Sequence, residues 1–177
     1  MSADERAGRT TGSRPSFSAA AEAHLDDVYR FLVHLTANRD LAEDLAADTF
    51  ERALRAWSRY EPSQGPVLPW LIGIARHRAL DHFRSERRRR ERDARYEVDN
   101  PHSTAASDDA RGISAPLQAA LARLDRRDRE LIGLRVVLNL DAVTAARILE
   151  ITPTACTTRL HRALGRLRKE VSLDDLG

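Results

Sequence analysis

A chain of 177 residues has room for one domain or two small ones, and a 42% hydrophobic content is enough for compact cores. Charged residues make up 32% of it, yet 29 Lys and Arg against 27 Asp and Glu leave a net charge of only +2, so where the charges sit says more than their sum. No apolar run approaches the ~20 residues needed to cross a bilayer, and the polar stretch 1–16 lacks the apolar centre of a secretory signal, which predicts a cytoplasmic protein without membrane insertion.

Residues 1–16 are rich in Ser, Thr, Gly and Arg without periodicity and read as a disordered tail. A helical domain is predicted over 17–95. Phe17, Ala21, Leu25, Val28, Phe31, Leu32 and Leu35 recur at three- and four-residue intervals, as one face of a helix requires, and the pattern breaks at Asn38. Asp40, with Glu43 three positions later, is the expected cap of the next helix, whose buried stripe is Leu41, Leu45, Thr49, Phe50, Ala53, Leu54 and Trp57. Its opposite face carries Glu43, Asp44, Asp48, Glu51 and Arg52. Asp44 and Asp48 lie one turn apart, so they either project together at a basic partner or pair with Arg52 and Arg55 in solvent, where such pairs contribute only ~0–1 kcal/mol each. Pro62, Gly65 and Pro66 forbid a continuous helix between Arg59 and Pro69.

Helix resumes from Trp70 to about Arg92 and grows more basic toward its end, with seven arginines against three acids between Arg84 and Arg95. Trp70, His77 and Arg84 share one side of it, with Asp81 close by, and Trp70 is as well suited to core packing as to a ligand-facing role. Residues 96–114 hold Pro101, Gly112, small residues and the acids Asp99, Asp108 and Asp109, and form an acidic linker. A second helical domain follows over 115–171, ahead of a short tail at 172–177. Leu117, Leu121 and Leu124 mark one helix, Leu131, Ile132, Leu134, Val136 and Val137 another, and Asp141 to Leu149 a third with Val143, Ala145, Ala146 and Leu149 apolar. No period-two alternation appears, so the fold class is all-α: two small helical domains joined by a flexible linker.

Ile151 to Arg168 carry the strongest functional signal. Thr152 and Pro153 fix a helix start, because a hydroxyl accepts an amide of the first turn and proline is tolerated there. Cys156, Leu160, Ala163, Leu164 and Leu167 form its apolar stripe, while Thr154, Thr157, Thr158, Arg159, Arg162 and Arg166 lie off it. Small hydroxyls and guanidinium groups suit base edges and phosphates in a major groove, so the pair of short helices reads as a helix-turn-helix, although a solvated basic face would have the same composition. The one cysteine sits on the apolar stripe, and the six histidines show no ligand spacing. With no nucleophile elbow, phosphate loop or zinc signature, neither a catalytic centre nor a metal or cofactor is expected.

Several motifs follow one another in a familiar order: Ala42-Glu43-Asp44-Leu45-Ala46-Ala47-Asp48-Thr49-Phe50, Trp70-Leu71-Ile72-Gly73-Ile74-Ala75-Arg76-His77 with Asp81-His82-Phe83-Arg84, Arg129-Glu130-Leu131, and Arg159-Leu160-His161-Arg162-Ala163. Over about Phe17 to Val171 the chain resembles bacterial sigma factors of the compact extracytoplasmic-function group within the sigma-70 family. The resemblance implies a promoter-melting domain and a promoter-reading domain that direct RNA polymerase to initiate transcription. Its implied partners are the beta and beta-prime subunits of core polymerase, promoter DNA, and as a candidate an anti-sigma factor. Core binding would fall on Glu43, Asp44, Asp48, Glu51 and Arg52. Minus-ten DNA would meet Tyr60, Ser63, Gln64, Trp70, Arg76, His77, Arg84, Arg87 and Arg88, and minus-thirty-five DNA would meet Thr154, Thr157, Thr158, Arg159, Arg162 and Arg166. Two departures stand out: Glu150 occupies a turn position where the family commonly has glycine, and His77 replaces its usual asparagine.

A 19-residue linker reaches at most ~63–68 Å extended and ~25 Å relaxed, against ~70 Å between promoter elements two turns apart. The two domains must therefore be drawn apart and held by polymerase, and the free protein should bind promoters poorly. The competing function is an autonomous helix-turn-helix regulator, which would need an effector domain or a dimerisation surface giving paired half-sites.

Overall fold

The structure is a computed structural model that describes residues 14–93 and 115–174. Residues 1–13 of the tail expected over 1–16, the linker over 96–114 and the end of the second tail lie outside the described residues. Every regular element among those described is helical.

The first domain has three helices. α1 spans Phe17–Thr36 and is capped by Ser16, whose hydroxyl accepts the amide of Ala19. It ends where Ala37 turns left-handed at φ 53° and donates its N–H to the carbonyl of Val33. α2 spans Arg39–Ala56, and its cap is Asn38 rather than the expected Asp40: the Asn38 amide oxygen accepts from Leu41 N at 3.0 Å, and Asp40 falls inside the first turn. The left-handed Ala37 places Asn38 in extended backbone, which is the conformation a cap needs. Short 3-10 turns at Trp57–Arg59 and Pro62–Gln64 lead to α3, Val67–Asp93. α3 begins before the expected Trp70, because Pro69 sits in its first turn, where no intrahelical amide is needed.

The second domain contains α4 (Ala115–Arg123), α5 (Arg126–Ile132), a π turn over Gly133–Val137, α6 (Ala142–Leu149) and α7 (Pro153–Asp174). Leu131 to Val137 is therefore not one α-helix: the wide turn re-aims the chain so that Leu134 is buried while Val136 stays 52% exposed. Leu25, Leu54, Val143 and Leu164, expected on buried stripes, are exposed as well. In each case neighbouring stripe positions fill the interface, and the residue sits at the stripe's edge.

The two domains touch. Val28, Phe31, Leu32 and Leu35 of α1 share one continuous core with Leu131, Leu134, Leu138 and Cys156 of the second domain. Gly133 is closely packed there: a Cβ on it would lie 3.1 Å from Phe31 Cδ2, so the ring would have to give by a few tenths of an ångström. Arg129 donates from Nε to the carbonyl of Leu35 at 3.2 Å, near the end of α1 where helical partners are lacking, and from Nη1 to Leu124 O at 2.6 Å. Arg76 of α3 forms an ion pair with Glu130 of α5.

Candidate nucleic-acid interface

The first face of interest lies along α3 and the loop before it. Trp57 and Tyr60 stack with ring centroids 5.0 Å apart, and Trp70 packs against both at 5.7 and 5.2 Å. Phe17 meets Trp57 edge-on at 5.5 Å. This aromatic block anchors the loop, and the Tyr60 hydroxyl closes it by donating to Gly65 O at 2.9 Å. Gly65 adopts φ 141°, a conformation that other residues rarely take, so the loop's shape depends on it.

Beside the block opens a groove of about 860 Å³. Its walls combine aromatic and polar groups (Tyr60, Trp70, Gln64, His77) with guanidinium groups of Arg52, Arg55, Arg59 and Arg78. His77 Nδ1 donates to Gly73 O at 2.7 Å, which leaves Nε2 for a ligand. Asp81 lies 3.6 Å from Arg78 and 3.4 Å from Arg84. Arg78 also pairs with Asp48 across to α2, and Arg52 lies 3.6 Å from the same carboxylate. Tyr60 and Trp57 are themselves buried in the aromatic block, so the half-buried Trp70 is the ring best placed toward the groove. A cationic groove with one aromatic wall and amide donors suits a single strand of nucleic acid, whose phosphates and unstacked bases make those demands.

The second face is the helix-turn-helix. Asp141 caps α6 by accepting the amides of Val143 and Thr144, each at 2.9 Å. Those two bonds, together with one from the Thr144 hydroxyl, hold its carboxyl below the usual range, Thr144 contributing most. Glu150 ends α6 in the left-handed region, φ 57° and ψ 42°, as a residue at a glycine position must to make the turn. Thr152 Oγ1 accepts the amide of Ala155 at 3.2 Å and starts α7. Cys156 and Ala163 are fully buried on one side of α7, while Thr154, Thr157, Thr158, Arg159 and Arg162 are exposed. Burial pushes the Cys156 thiol up and keeps it protonated.

Residues 20–89 match the family described as sigma-70 region 2, and residues 114–167 match sigma-70 region 4. The chain is 31% identical over 158 residues to the RNA polymerase sigma factor CarQ of Myxococcus xanthus, covering 89% of this chain and 90% of that one. It is also 31% identical over 169 residues to the ECF RNA polymerase sigma factor SigC of Mycobacterium tuberculosis, covering 93% and 88%. The chain belongs to the extracytoplasmic-function sigma factors of the sigma-70 family. Its fold is that of the sigma factor RpoE solved with the anti-sigma factor NepR from Bartonella quintana, with TM-score 0.69 and 24% identity over 89% of this chain and 98% of that one.

Within this sigma factor the expected site residues divide. Tyr60, Gln64, Trp70 and His77 line the groove of the region 2 domain, and Ser63 is exposed beside it. Arg84, Arg87 and Arg88 point to solvent further along α3, Arg87 leaning on Glu91 at 2.7 Å. Arg76 is turned away from them into the inter-domain contact, its side chain 14% exposed. On α2, Glu43, Asp44, Glu51 and Arg52 are exposed, and Glu51 pairs with Arg55. On the region 4 domain, Arg166 is exposed like Arg159 and Arg162 but is already engaged: its Nε and Nη2 both donate to Asp128, the Nη2 contact being 2.7 Å. Asp128 is buried, so this pair clamps α7 to α5.

Sequence reasoning passed over Arg55, Arg59, Arg147 and Ile148 as lining of the groove. The first two lie on a helix and turn adjacent to expected site residues, and proximity in the chain is a usable signal. Nothing along the chain could have placed Arg147, which arrives from the other domain. Arg14 was assigned to a disordered tail, yet it donates to the carbonyls of Trp57 and Ser58, each at 3.2 Å, and steadies the end of α2. Among the described residues no three His, Cys, Asp or Glu side chains converge in a way that could hold a metal ion, and no helix is long and apolar enough to cross a membrane.

Proposed function

We propose that this sigma factor binds core RNA polymerase through the acidic face of α2, opens promoters with the groove along α3, and reads upstream duplex with α7. The region 2 domain occupies about residues 17–95 and the region 4 domain about 115–171, with the acidic segment 96–114 as the tether. Glu43, Asp44 and Glu51 offer carboxylates to arginines of the polymerase beta-prime clamp, with Arg52 alongside, while Asp48 both faces that surface and secures Arg78.

Melting needs a base to leave the stack at a cost of a few kcal/mol, which a pocket and backbone contacts must offset. Trp70 and the Tyr60 edge supply the apolar wall, Ser63, Gln64 and His77 the hydrogen-bonding groups, and Arg84, Arg87 and Arg88 the phosphate contacts. Arg76 joins them once its pair with Glu130 opens. Thr154, Thr157, Thr158, Arg159 and Arg162 read and grip the minus-thirty-five major groove. Arg166 sets the pose of α7 through Asp128. The chain carries no reaction of its own; polymerase supplies the chemistry, in the cytoplasm, and an anti-sigma factor is the natural restraint on it.

The observation that supports this most is the joint presence of a cationic, aromatic-walled groove on one domain and an exposed Thr and Arg face on a capped helix of the other. Mixing the protein with core polymerase and a pool of promoter fragments tests it. The expected outcome is strand opening and defined transcript starts only when both proteins are present. Tight duplex binding by the sigma chain alone, with no stimulation of transcription, would refute it in favour of an autonomous regulator.

A further inference from the structure

We propose that the groove is also a small-molecule site, in which the protein binds a free nucleoside triphosphate with the base against Trp70 and Ile148 and the phosphates on Arg59 and Arg147. This goes beyond the reading of the groove as the place of promoter opening, because the ligand is a mononucleotide and two of the residues that hold it come from α6.

Size and lining set the class of ligand. At about 860 Å³ the groove falls within the ~300–1,000 Å³ of small-molecule sites, and an inorganic anion would leave most of it empty. Its floor is apolar: Trp70 and Ile74 of α3, Pro66 and Pro69 of the preceding loop, and Ile148 of α6. Trp70, Gly73, Ile74 and His77 follow one another at spacings of three and four residues and so share one face of α3. A Cβ on Gly73 would meet nothing within 4 Å, so the floor is open above it. A flat ring fits there against the half-buried Trp70, with the Gln64 amide oxygen and His77 Nε2 at hand for its polar edge.

The rim is basic. Arg52, Arg55, Arg59, Arg78 and Arg147 line the groove against two acids, Glu61 and Asp81. Both acids are engaged: Asp81 faces Arg78 and Arg84, and Glu61 accepts from Gln64 Nε2 at 2.9 Å. Arg78 holds Asp48, while Arg52 and Arg55 lean on acids one turn back along α2 in exposed pairs, which hold them weakly. Arg59 and Arg147 differ. Both are exposed, and among the described residues neither has an acid partner. The Arg147 guanidinium comes to 3.5 Å from where a Cβ on Gly65 would be, which sets it at the loop that carries Gln64. Guanidinium forks match phosphate oxygens, and groups without a carboxylate partner give up only water and counterions to take them. A triphosphate spreads its charge far enough to use Arg59 and Arg147 together and to draw in Arg52 and Arg55.

Calorimetric titration of the full chain with ATP, GTP and inorganic tripolyphosphate at one fixed salt concentration tests this. A nucleotide should bind at one per chain with Kd below ~1 mM, and tripolyphosphate, which lacks a base, about tenfold more weakly. Arg59→Ala and Arg147→Ala should each weaken the nucleotide about tenfold. Gly73→Leu fills the floor without altering charge and favours helix, so it should weaken the nucleotide, leave tripolyphosphate binding as it was, and keep the helicity seen by circular dichroism. Arg127→Ala removes the same charge from an exposed arginine outside the groove and should change nothing. The absence of saturable binding would overturn the proposal. So would equal affinity for tripolyphosphate and nucleotide, or a loss in Arg127→Ala that matches Arg147→Ala, since either means attraction by net charge alone. Promoter opening by the parent with core polymerase is scored in parallel: its failure would sink the melting role of the groove and leave a bound nucleotide standing, and the reverse result would sink only the nucleotide site.

Discussion

Glu150 stands at the hinge of the helix-turn-helix with φ 57° and ψ 42°, a conformation in which a Cβ crowds the carbonyl that follows it. For an L-residue this costs about 1–2 kcal/mol relative to glycine. Glycine in turn gives back about 0.4–1 kcal/mol through the greater freedom of its unfolded chain. The difference predicts that Glu150→Gly stabilises the protein by about 0.5–1 kcal/mol, and because a kilocalorie moves Tm by roughly 2–4 °C in a chain of this size, by a rise of ~1–4 °C. Glu150→Val should do the opposite, since a β-branched side chain is the least compatible with positive φ. Ala37, at φ 53°, provides an independent copy of the same test in the other domain. Ala37→Gly should gain a similar amount, and the double variant should show the sum. Thermal melts and urea titrations of the four variants and the parent measure this. A loss of stability in Glu150→Gly with an unchanged denaturant slope would refute the reasoning, because it would mean the native turn does not hold Glu150 left-handed.

Removing the cap of α7 by Thr152→Ala should destabilise the protein by about 1 kcal/mol in denaturant titrations and weaken duplex binding by the region 4 domain. Asp44→Arg should lower affinity for core polymerase by at least about tenfold in a pull-down titration, with an unchanged melting curve, because Asp44 is exposed and among the described residues holds no other side chain. Arg84→Ala should weaken DNA binding by the holoenzyme across all sequences and flatten the dependence of log affinity on log salt by about 0.7–0.9. His34 is buried, and desolvation lowers its pKa despite the bond from its Nδ1 to Arg30 O at 2.8 Å. The unfolded chain therefore binds that proton more readily than the folded one, so stability is complete above pH ~6.5 and declines as pH falls below it; His34→Gln should flatten this limb in urea titrations at a series of pH values.

The helices were legible because their apolar periods are long. α1 shows seven matching positions, and the Thr152-Pro153 start of α7 follows from local chemistry alone. The cap of α2 was misplaced because Asn38 and Asp40 are both good caps, and the choice depends on the left-handed Ala37, which leaves no trace in the sequence. The π turn was illegible for a different reason: Leu131 to Val137 has the composition of ordinary helix, and nothing in it marks the place where the turn widens beside Phe31 of the other domain. Site residues on one helix face, such as Trp70 and His77, could be grouped by period, whereas Arg76 and Arg166 could not be sorted from other arginines without knowing which acids reach them.

The acids explain how so many arginines coexist with a net charge of +2. Arg76, Arg78 and Arg166 each meet a carboxylate from another helix, Glu130, Asp48 and Asp128 respectively, and so join elements that sequence alone leaves separate. Arg159 and Arg162 are exposed, and among the described residues no acid pairs with either. A guanidinium already held by a partly or fully buried carboxylate must lose that partner before it can take a phosphate, whereas a solvated one gives up only water and counterions. The two classes should therefore respond differently to DNA. On the proposed assignment of these residues to DNA, Arg159 and Arg162 engage phosphates directly, while Arg76 must first give up Glu130.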